Sequence, residues 1–287
     1  MRKLKDFSII GAGRVGTALA AALTAQNWNL KVIVDSVPEK ARRLRKMIGQ
    51  GQASAEASQA VRRSELIFLC VTDSQIEKVV RQIVKEEVQN KYFFHTSGAL
   101  SSSLLAPLKE KGARVGSFHP IQTFATETPE KNLFRGIFIG LEGQPEAVRL
   151  GLKIARTLKS QVILLSPENK PAYHLACSIS SNFLVVLLSE IKDIMKSIGL
   201  DEETTLNLLT PLLNKTLHNV KKLGIEASLT GPVIRGDAET VKKHLEITAR
   251  FPGLDRIYRA MALEALKIAE KHGLEEYRLK ALKRLLE

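Results

Sequence analysis

The first half of the chain alternates short apolar runs with stretches whose apolar residues recur at helical intervals. The apolar runs are rich in β-branched and aromatic residues and read FSII, LKVIV, LIFLCV, YFFHT, RVGSF, GIFIGL and QVILL. Helical intervals follow several of them, as in GTALAAALTAQ, PEKARRLRKMI and QIEKVVRQIVKEE. Strands that are apolar throughout and alternate with helices are typical of a parallel sheet covered on both faces. The pattern predicts an α/β fold, with a doubly wound parallel sheet in a first domain over residues 1–166.

The strand pattern stops near Pro167–Pro171, and long helical patterns follow it. They cover residues 172–199, 201–224 and 254–273. The first is apolar on most sides, so it is expected to be buried. We therefore predict an all-helical C-terminal domain over residues 167–287, which would contribute to a substrate site and to dimerisation.

Composition narrows the class of protein without naming a function. The chain has 287 residues, 44% of them hydrophobic, and a formal net charge of +13. We expect no apolar stretch to reach the ~20 residues that cross a bilayer, so a cytoplasmic location without membrane contact is expected. Basic residues are mixed with acidic ones, which makes nucleic-acid binding an unfavoured explanation of the charge. Cys70 and Cys177 lack metal-ligand spacing, and no metal site is predicted.

A glycine-rich turn between the first apolar run and the first helix carries the clearest chemistry. It matches the GxGxxG pattern with the residues Gly11, Ala12, Gly13, Arg14, Val15 and Gly16. In the dinucleotide fold the first glycine permits a tight turn, the second lets the backbone approach a pyrophosphate, and the third lets helix and strand pack closely. The helix start then offers free N–H groups to the phosphates. These six residues are predicted to bind a dinucleotide.

Residues beyond this turn extend the predicted cofactor site. Asp35 ends the second strand, where an acidic side chain would accept hydrogen bonds from the adenosine ribose and repel a 2′-phosphate, which favours NAD. Arg42 and Arg43 in the next helix could reach such a phosphate, so NADP stays open. Val71 and Thr72 end the third predicted strand and would flank the nicotinamide.

Two histidines fall at predicted strand ends, where ligands of open α/β sheets collect. His119 precedes Pro120, which restricts it to extended geometry, and it is the candidate proton donor or acceptor for a carbonyl or imine. His95 precedes Ser97, a second-rank catalytic candidate. A hydrogen-bonded histidine that stabilises a loop is the alternative for both.

A polar stripe marks the apolar helix that follows the predicted boundary. At ~100° per residue, His174, Ser178, Ser181 and Asn182 share one side. Buried polar side chains need partners, which could be another helix or a substrate. We predict that Asn182 orients the reacting atom and that His174 is a second-rank candidate.

One polar segment near the C-terminal third has a mainly structural interpretation. In LTGPVIRGD, Asp237 is well placed to cap the following helix. Arg235 could bind a substrate carboxylate, although a salt bridge within the loop is at least as consistent with the sequence.

The chain resembles bacterial proteins that join a Rossmann-like domain to a C-terminal helical domain of unknown function. The resemblance covers nearly the whole chain and rests on IIGAGRVGTALA, HTSGAL, GSFHPIQTFA, YHLACSISSNFLVVLL and LTGPVIRGD. It extends to deazaflavin-dependent NADP oxidoreductases, pyrroline-carboxylate reductases, prephenate dehydrogenases, ketopantoate reductases and β-hydroxyacid dehydrogenases. The prephenate enzymes have a His-Pro pair similar to His119-Pro120. The β-hydroxyacid dehydrogenases place a catalytic lysine four residues before an asparagine, where this chain has Ser178 before Asn182.

The resemblance implies an NAD(P)-dependent oxidoreductase acting on a small, anionic keto, hydroxy or imino compound, with NADP as the commoner cofactor among the relatives. It also implies a homodimer formed through the helical domain. The missing lysine leaves a second hypothesis open, a cofactor-binding sensor or regulatory protein without turnover.

Overall fold

The computed structural model describes residues 4–128 and 132–287. Residues 1–3, which the sequence analysis includes in the first domain, lie outside this part of the chain. Two compact units divide between Ser181 and Asn182. The last strand ends at Leu164, close to the predicted end of the α/β pattern. The compact first unit extends further, to Ser181, and therefore also includes the first turns of the apolar helix.

The first unit contains a sheet that, within the described residues, has eight strands in the order β3-β2-β1-β4-β5-β6-β7-β8. The strands are β1 (Asp6–Ile10), β2 (Asn29–Val34), β3 (Gln52–Ser54), β4 (Leu66–Leu69), β5 (Tyr92–His95), β6 (Arg114–Pro120), β7 (Phe138–Gly143) and β8 (Gln161–Leu164). The doubly wound α/β fold is therefore confirmed. Strand β3 was not predicted, because its three residues include no large apolar side chain.

One strand departs from the predicted parallel arrangement. Strands β1 to β6 all pair in parallel, but β7 runs antiparallel to β6, with His119 opposite Gly140. Strand β8 is parallel to β7. The connection from β6 to β7 runs from residue 121 to residue 137, and its described residues, 121–128 and 132–137, contain no helix. A parallel neighbour needs a crossover, usually through a helix, so this connection fits an antiparallel pair.

Helices cover both faces of the sheet. They are α1 (Arg14–Thr24), α2 (Pro38–Ile48), α3 (Ala57–Arg63), α4 (Asp73–Ile83), α5 (Ala106–Glu110), α6 (Pro145–Thr157) and α7 (Lys170–Ser178). Because side chains alternate along a strand, strands β1, β2, β4, β5 and β6 supply both cores. On one face Phe68, Phe94 and Phe118 pack together with ring centroids 5.7–6.0 Å apart. On the other, Ile67 and Phe93 are fully buried.

The second unit is helical, as predicted. Its helices are α8 (Leu184–Ser197), α9 (Glu202–Leu223), α10 (Pro232–Arg235), α11 (Ala238–Thr248), α12 (Pro252–Lys271) and α13 (Glu276–Leu286). A small core of Val241, Leu266 and Leu282 joins α11, α12 and α13. Asp237 accepts a hydrogen bond from the Thr240 amide (3.0 Å), which confirms the predicted helix cap.

The long apolar helix differs from its prediction in two ways. A π-helical turn, Ile179–Phe183, interrupts it between α7 and α8, so the uniform spacing used to derive the polar stripe does not hold beyond Ser178. No residue of this turn or of α8 is buried, so the expectation of burial was wrong for the single chain. The stretch Pro167–Ser197 is also long and apolar enough to cross a membrane by length and composition alone, which corrects the expectation that no such stretch exists. Helices of water-soluble proteins meet the same criterion.

Candidate functional site

The glycine turn has the geometry that the sequence predicts. Gly11 has φ +104° and donates its N–H to the Val34 carbonyl at 2.7 Å. A Cβ on Gly11 would lie 2.4 Å from the Cys70 carbonyl oxygen, and one on Gly16 would lie 1.9 Å from the Gly11 oxygen. Both positions therefore exclude any side chain. Strand β1 and helix α1 approach each other closely because of them.

Gly13 differs from the other two glycines of the motif. A Cβ there would meet nothing within 4 Å, so the protein's own packing does not require glycine. Gly13 is the N-cap of α1, and no side chain caps the helix start. The first backbone N–H groups, beginning at Arg14 and Val15, therefore lack a partner within the helix. An open space in front of free amides fits a phosphate-bearing ligand.

Asp35 lies beside this turn. Its Oδ2 accepts the Ala12 N–H at 2.8 Å, and its Oδ1 accepts the Val37 N–H at 2.9 Å. A carboxylate oxygen has more than one lone pair, so both remain able to accept from a ribose hydroxyl. Arg42 and Arg43 form ion pairs with Glu39 and Glu127.

Val71 and Thr72 follow β4 at the same edge of the sheet. The Val71 Cγ1 atom would lie 3.1 Å from a Cβ on Gly11, which places Val71 against the glycine turn. Thr72 is the N-cap residue of α4, and its hydroxyl contacts Ser74 Oγ at 3.4 Å. The edge between β1 and β4 is where the strand order reverses, the usual ligand position in this fold.

His119 is held by an aromatic partner that the sequence analysis missed. Its Nδ1 hydrogen-bonds the Tyr173 hydroxyl at 2.7 Å, and the two rings lie perpendicular with centroids 5.6 Å apart. Burial, assisted by the charge of Lys170, lowers the pKa of His119 to about 4. Burial raises the pKa of Tyr173, so the phenol keeps its proton. At neutral pH the pair is therefore an uncharged imidazole hydrogen-bonded to a phenol.

Gly98 provides the space in which two imidazoles meet. The rings of His119 and His174 lie 6.1 Å apart. A Cβ on Gly98 would lie 2.6 Å from His174 Cδ2 and 2.8 Å from His119 Nε2. Of the predicted catalytic residues, the structure thus brings together His119 and His174. Sequence spacing could not show this, because the residues come from β6, α7 and the loop after β5.

His95 and Ser97 are buried beneath this cluster. The Ser97 amide donates to His95 Nδ1 at 3.2 Å, and the Ser97 carbonyl accepts from Ser117 Oγ at 3.2 Å. The Ser97 hydroxyl accepts from the Leu100 amide at 3.1 Å. Burial lowers the pKa of His95 to about 3, so its ring is neutral. These contacts describe structural roles for both residues, and the proposed chemistry of Ser97 stays a prediction.

Lys170 is a second residue that the sequence analysis missed. Its side chain is fully buried at the start of α7, and Nζ donates to the Ser97 carbonyl (3.1 Å) and to Ser117 Oγ (2.7 Å). Burial lowers its pKa to about 8. The spacing Lys170, Tyr173 and His174, at i, i+3 and i+4 of one helix, was the available signal.

Asn182 belongs to the second unit, where it is exposed. It lies within the π-helical turn rather than on the uniform helix assumed for it. Its proposed role in orienting a reacting atom stays a prediction.

The fold and this site define a Rossmann-like domain joined to a helical domain, and two domain models match accordingly. Residues 2–120 match a Rossmann-like domain. Residues 137–265 match a domain of unknown function, DUF2520. The chain thus combines these two domains in the order that the sequence resemblance implied. No match was found among curated proteins.

Several solved structures share this architecture over their whole length. BF3122 from Bacteroides fragilis, described as a putative NADP oxidoreductase, superposes with a TM-score of 0.79 at 23% identity, covering 92% of this chain and 98% of that chain. Protein TM1727 from Thermotoga maritima gives 0.68 at 28% identity, with 93% and 99% covered. A pyrroline-5-carboxylate reductase from Coxiella burnetii gives 0.59 at 16% identity, with 99% and 97% covered.

Proposed function

We propose that this protein is an NAD(P)-dependent oxidoreductase that acts on a small, anionic keto, hydroxy or imino compound. The observation that carries the proposal is the glycine turn, where Gly13 faces open space beside the uncapped start of α1. Support comes from the similar architecture of proteins named as NADP oxidoreductases, imine reductases and a pyrroline-5-carboxylate reductase. The anionic substrate class is supported by the formal charge of +13.

The residues at the ends of β1, β4 and β6 would have separate roles in cofactor binding and proton transfer. The glycine turn and the first amides of α1 would hold the diphosphate, and Val71 with Thr72 would border the nicotinamide. The bound nicotinamide would supply or accept the hydride. His119, oriented by Tyr173, would be the proton donor or acceptor for the substrate and would act through Nε2. Asn182 would orient the reacting atom.

Asp35 makes NAD the proposed preferred cofactor. Its carboxylate is fixed by two backbone amides next to the glycine turn. A charge in this position accepts hydrogen bonds from ribose hydroxyls and repels a 2′-phosphate. The two arginines that could offset this repulsion, Arg42 and Arg43, are already paired with carboxylates.

A single substitution tests the proposed cofactor site. Gly13→Ala adds a methyl group that meets no protein atom within 4 Å, so the variant should fold normally. The methyl group would occupy the space needed by the diphosphate. We expect calorimetry to show NAD binding to the wild type and at least a tenfold weaker affinity for the variant, about 1.4 kcal/mol. Equal affinity for both proteins, or no binding of any nicotinamide cofactor to the wild type, would reject the proposal.

A cofactor-binding sensor without turnover is the second candidate, and the neutral state of His119 favours it. An imidazole whose pKa is about 4 carries almost no proton to donate at neutral pH. Wild-type protein that binds NAD but consumes no reduced cofactor with a panel of keto acids, imines and hydroxy acids would support the sensor. Turnover with any of them supports the enzyme.

We also propose that the protein forms a homodimer through its helical unit. Large apolar side chains of α8 and α9 are exposed in the single chain: Leu184, Val185, Val186, Leu206, Leu208, Leu212, Leu217 and Leu223. Monomeric proteins rarely expose continuous apolar patches of more than a few hundred Å². Helices α8 and α9 of a second copy would match this surface chemically, because they expose the same apolar residues.

A further inference from the structure

Lys170 is a buried cation without a carboxylate partner. Its side chain has 0% exposure, and no carboxylate oxygen of the described residues lies within the 4.0 Å of an ion pair with Nζ. Its hydrogen-bond acceptors are the neutral Ser97 carbonyl and Ser117 hydroxyl. A buried charge is costly unless it is paired, so an apolar residue would be the more stable choice at this position. Some other property must favour an ammonium here.

The hydrogen bonds of Lys170 join the two segments that carry the imidazole site. Ser97 immediately precedes Gly98, and Ser117 lies two residues before His119 on β6. Residues i and i+2 of a strand face the same side, so Ser117 and His119 point to the same face of the sheet. The ammonium thus connects the loop after β5 to the face of β6 that presents His119.

Helix α7 meets that face with three residues of one side. Lys170 contacts Ser117, Tyr173 contacts His119 Nδ1, and the ring of His174 lies 6.1 Å from that of His119. Positions i, i+3 and i+4 of a helix are neighbours, so Lys170 and His119 lie on the same contact between α7 and β6. A buried positive charge at this contact acts on the imidazole through a medium of low polarity.

The charges around this contact come from several elements. Lys170 and His174 on α7 both disfavour a proton on His119, after burial itself. A charge on His119 disfavours a proton on His95, which lies on β5. Glu142 on β7 and Asp73 on α4 act on Lys170, favouring its charged form. Tyr173 is a neutral phenol hydrogen-bonded to His119.

We propose that Lys170 is a positioning residue of the candidate site, whose ammonium fixes the Gly98 loop against β6 and places a positive charge beside His119. The catalytic meaning of this role rests on the proposed function, but the electrostatic effect on His119 does not. Lys170 is not proposed to touch substrate. It acts through Ser97, Ser117 and His119.

Titration of the histidine ring by NMR tests the proposal in the full-length protein without cofactor or substrate. Lys170→Met removes the charge and keeps similar length, so the midpoint of His119 should rise by ~1 pH unit or more, the usual effect of a nearby charge. The matched control, Ser117→Ala, removes one hydrogen bond of Nζ but keeps the charge. Its His119 midpoint should stay close to that of the wild type. The proposal would be overturned if the His119 midpoint were the same in Lys170→Met and Ser117→Ala and both variants were only less stable. Lys170 would then have a structural role alone.

A wild-type measurement keeps the test decisive if Lys170→Met does not fold. Burial places the pKa of Lys170 at about 8, so its side-chain carbon signal should titrate there. The ring signals of His119 should shift in the same pH range, because the neighbouring charge disappears. Ring signals that do not respond when Lys170 loses its proton would overturn the proposal. Absence of cofactor binding would reject the proposed function while leaving these titrations unaffected.

Discussion

Gly98→Ala should disturb the packing of the two imidazoles, His119 and His174, in the candidate site. The added Cβ would lie 2.6 Å from His174 Cδ2 and 2.8 Å from His119 Cε1 and Nε2. Ordinary contact begins at 3.4 Å. The rings must therefore retreat by roughly 0.6–0.8 Å, or the loop must move by a similar distance.

This displacement has a calculable cost. Adding a methyl group to a packed site costs ~1–3 kcal/mol. For a domain of 150–250 residues each kcal/mol lowers Tm by ~2–4 °C, so we expect a decrease on the order of 2–12 °C. A 1 Å misplacement of a reacting group can cost ~100-fold in rate, so the proposed turnover should fall by ~10- to 100-fold. The affinity for NAD should not change, because Gly98 is not part of the glycine turn.

Differential scanning calorimetry, steady-state kinetics and the ring signals of both histidines measure these effects. Gly13→Ala is the matched control for stability, since its methyl group enters open space and should leave Tm unchanged or slightly raised. In the double variant Gly98→Ala/His174→Ala, one of the two rings is gone, so part of the lost stability should return. Wild-type Tm together with unshifted ring signals in Gly98→Ala would refute the described packing.

Three further predictions concern pH, cofactor choice and assembly. Because the pKa of His119 is lowered to about 4, the unfolded chain binds a proton between pH 6.5 and 4 that the folded chain does not bind. The folded state therefore loses stability as the pH falls through this range. His119→Gln should reduce that loss by up to ~3 kcal/mol, measured by urea unfolding. A variant that loses stability as steeply as the wild type would count against the neutral ring. Asp35→Asn should narrow a preference for NAD over NADP that we expect to be at least tenfold, ~1.4 kcal/mol, in calorimetric titrations; a wild type that prefers NADP would contradict the assigned role. Leu212→Lys should convert a dimer of about twice the 31.8 kDa chain into monomers by light scattering, and a monomeric wild type would disprove the dimer.

Sequence patterns predicted the parts of the fold that depend on local chemistry. The GxGxxG turn is such a case, because Gly11 and Gly16 are sterically required where they stand. The cap at Asp237 is another, since a side chain reaches only the next helical turn. Antiparallel β7 was missed because an apolar run does not reveal the direction of its neighbour. The burial of α8 was predicted from apolarity, yet apolarity does not distinguish a core from an interface between chains.

The site was less predictable than the fold, because its geometry arises between elements. His119 was found through its position at a strand end before a proline, a local signal. Its partner Tyr173 is 54 residues away, and the contact depends on how α7 crosses the sheet. Lys170 was missed for a different reason. A lysine is expected at the surface, and only its packing shows that it is buried.

The neutral state of His119 limits the chemistry that this cluster can perform. A carbonyl that accepts hydride also needs a proton. The His119 imidazole is neutral and its partner Tyr173 is an uncharged phenol, so the pair carries no imidazolium proton to donate. What the pair can do at neutral pH is polarise the carbonyl by a hydrogen bond from Nε2–H while Tyr173 donates to Nδ1. As negative charge develops on the substrate oxygen, the imidazole becomes easier to protonate, since an opposite charge favours its cationic form. The same buried charge of Lys170 that keeps the ring neutral at rest would also stabilise that developing oxyanion. For the proposed reaction, we therefore expect polarisation of the carbonyl before hydride arrives, followed by late transfer of a proton from solvent to the substrate oxygen through His119.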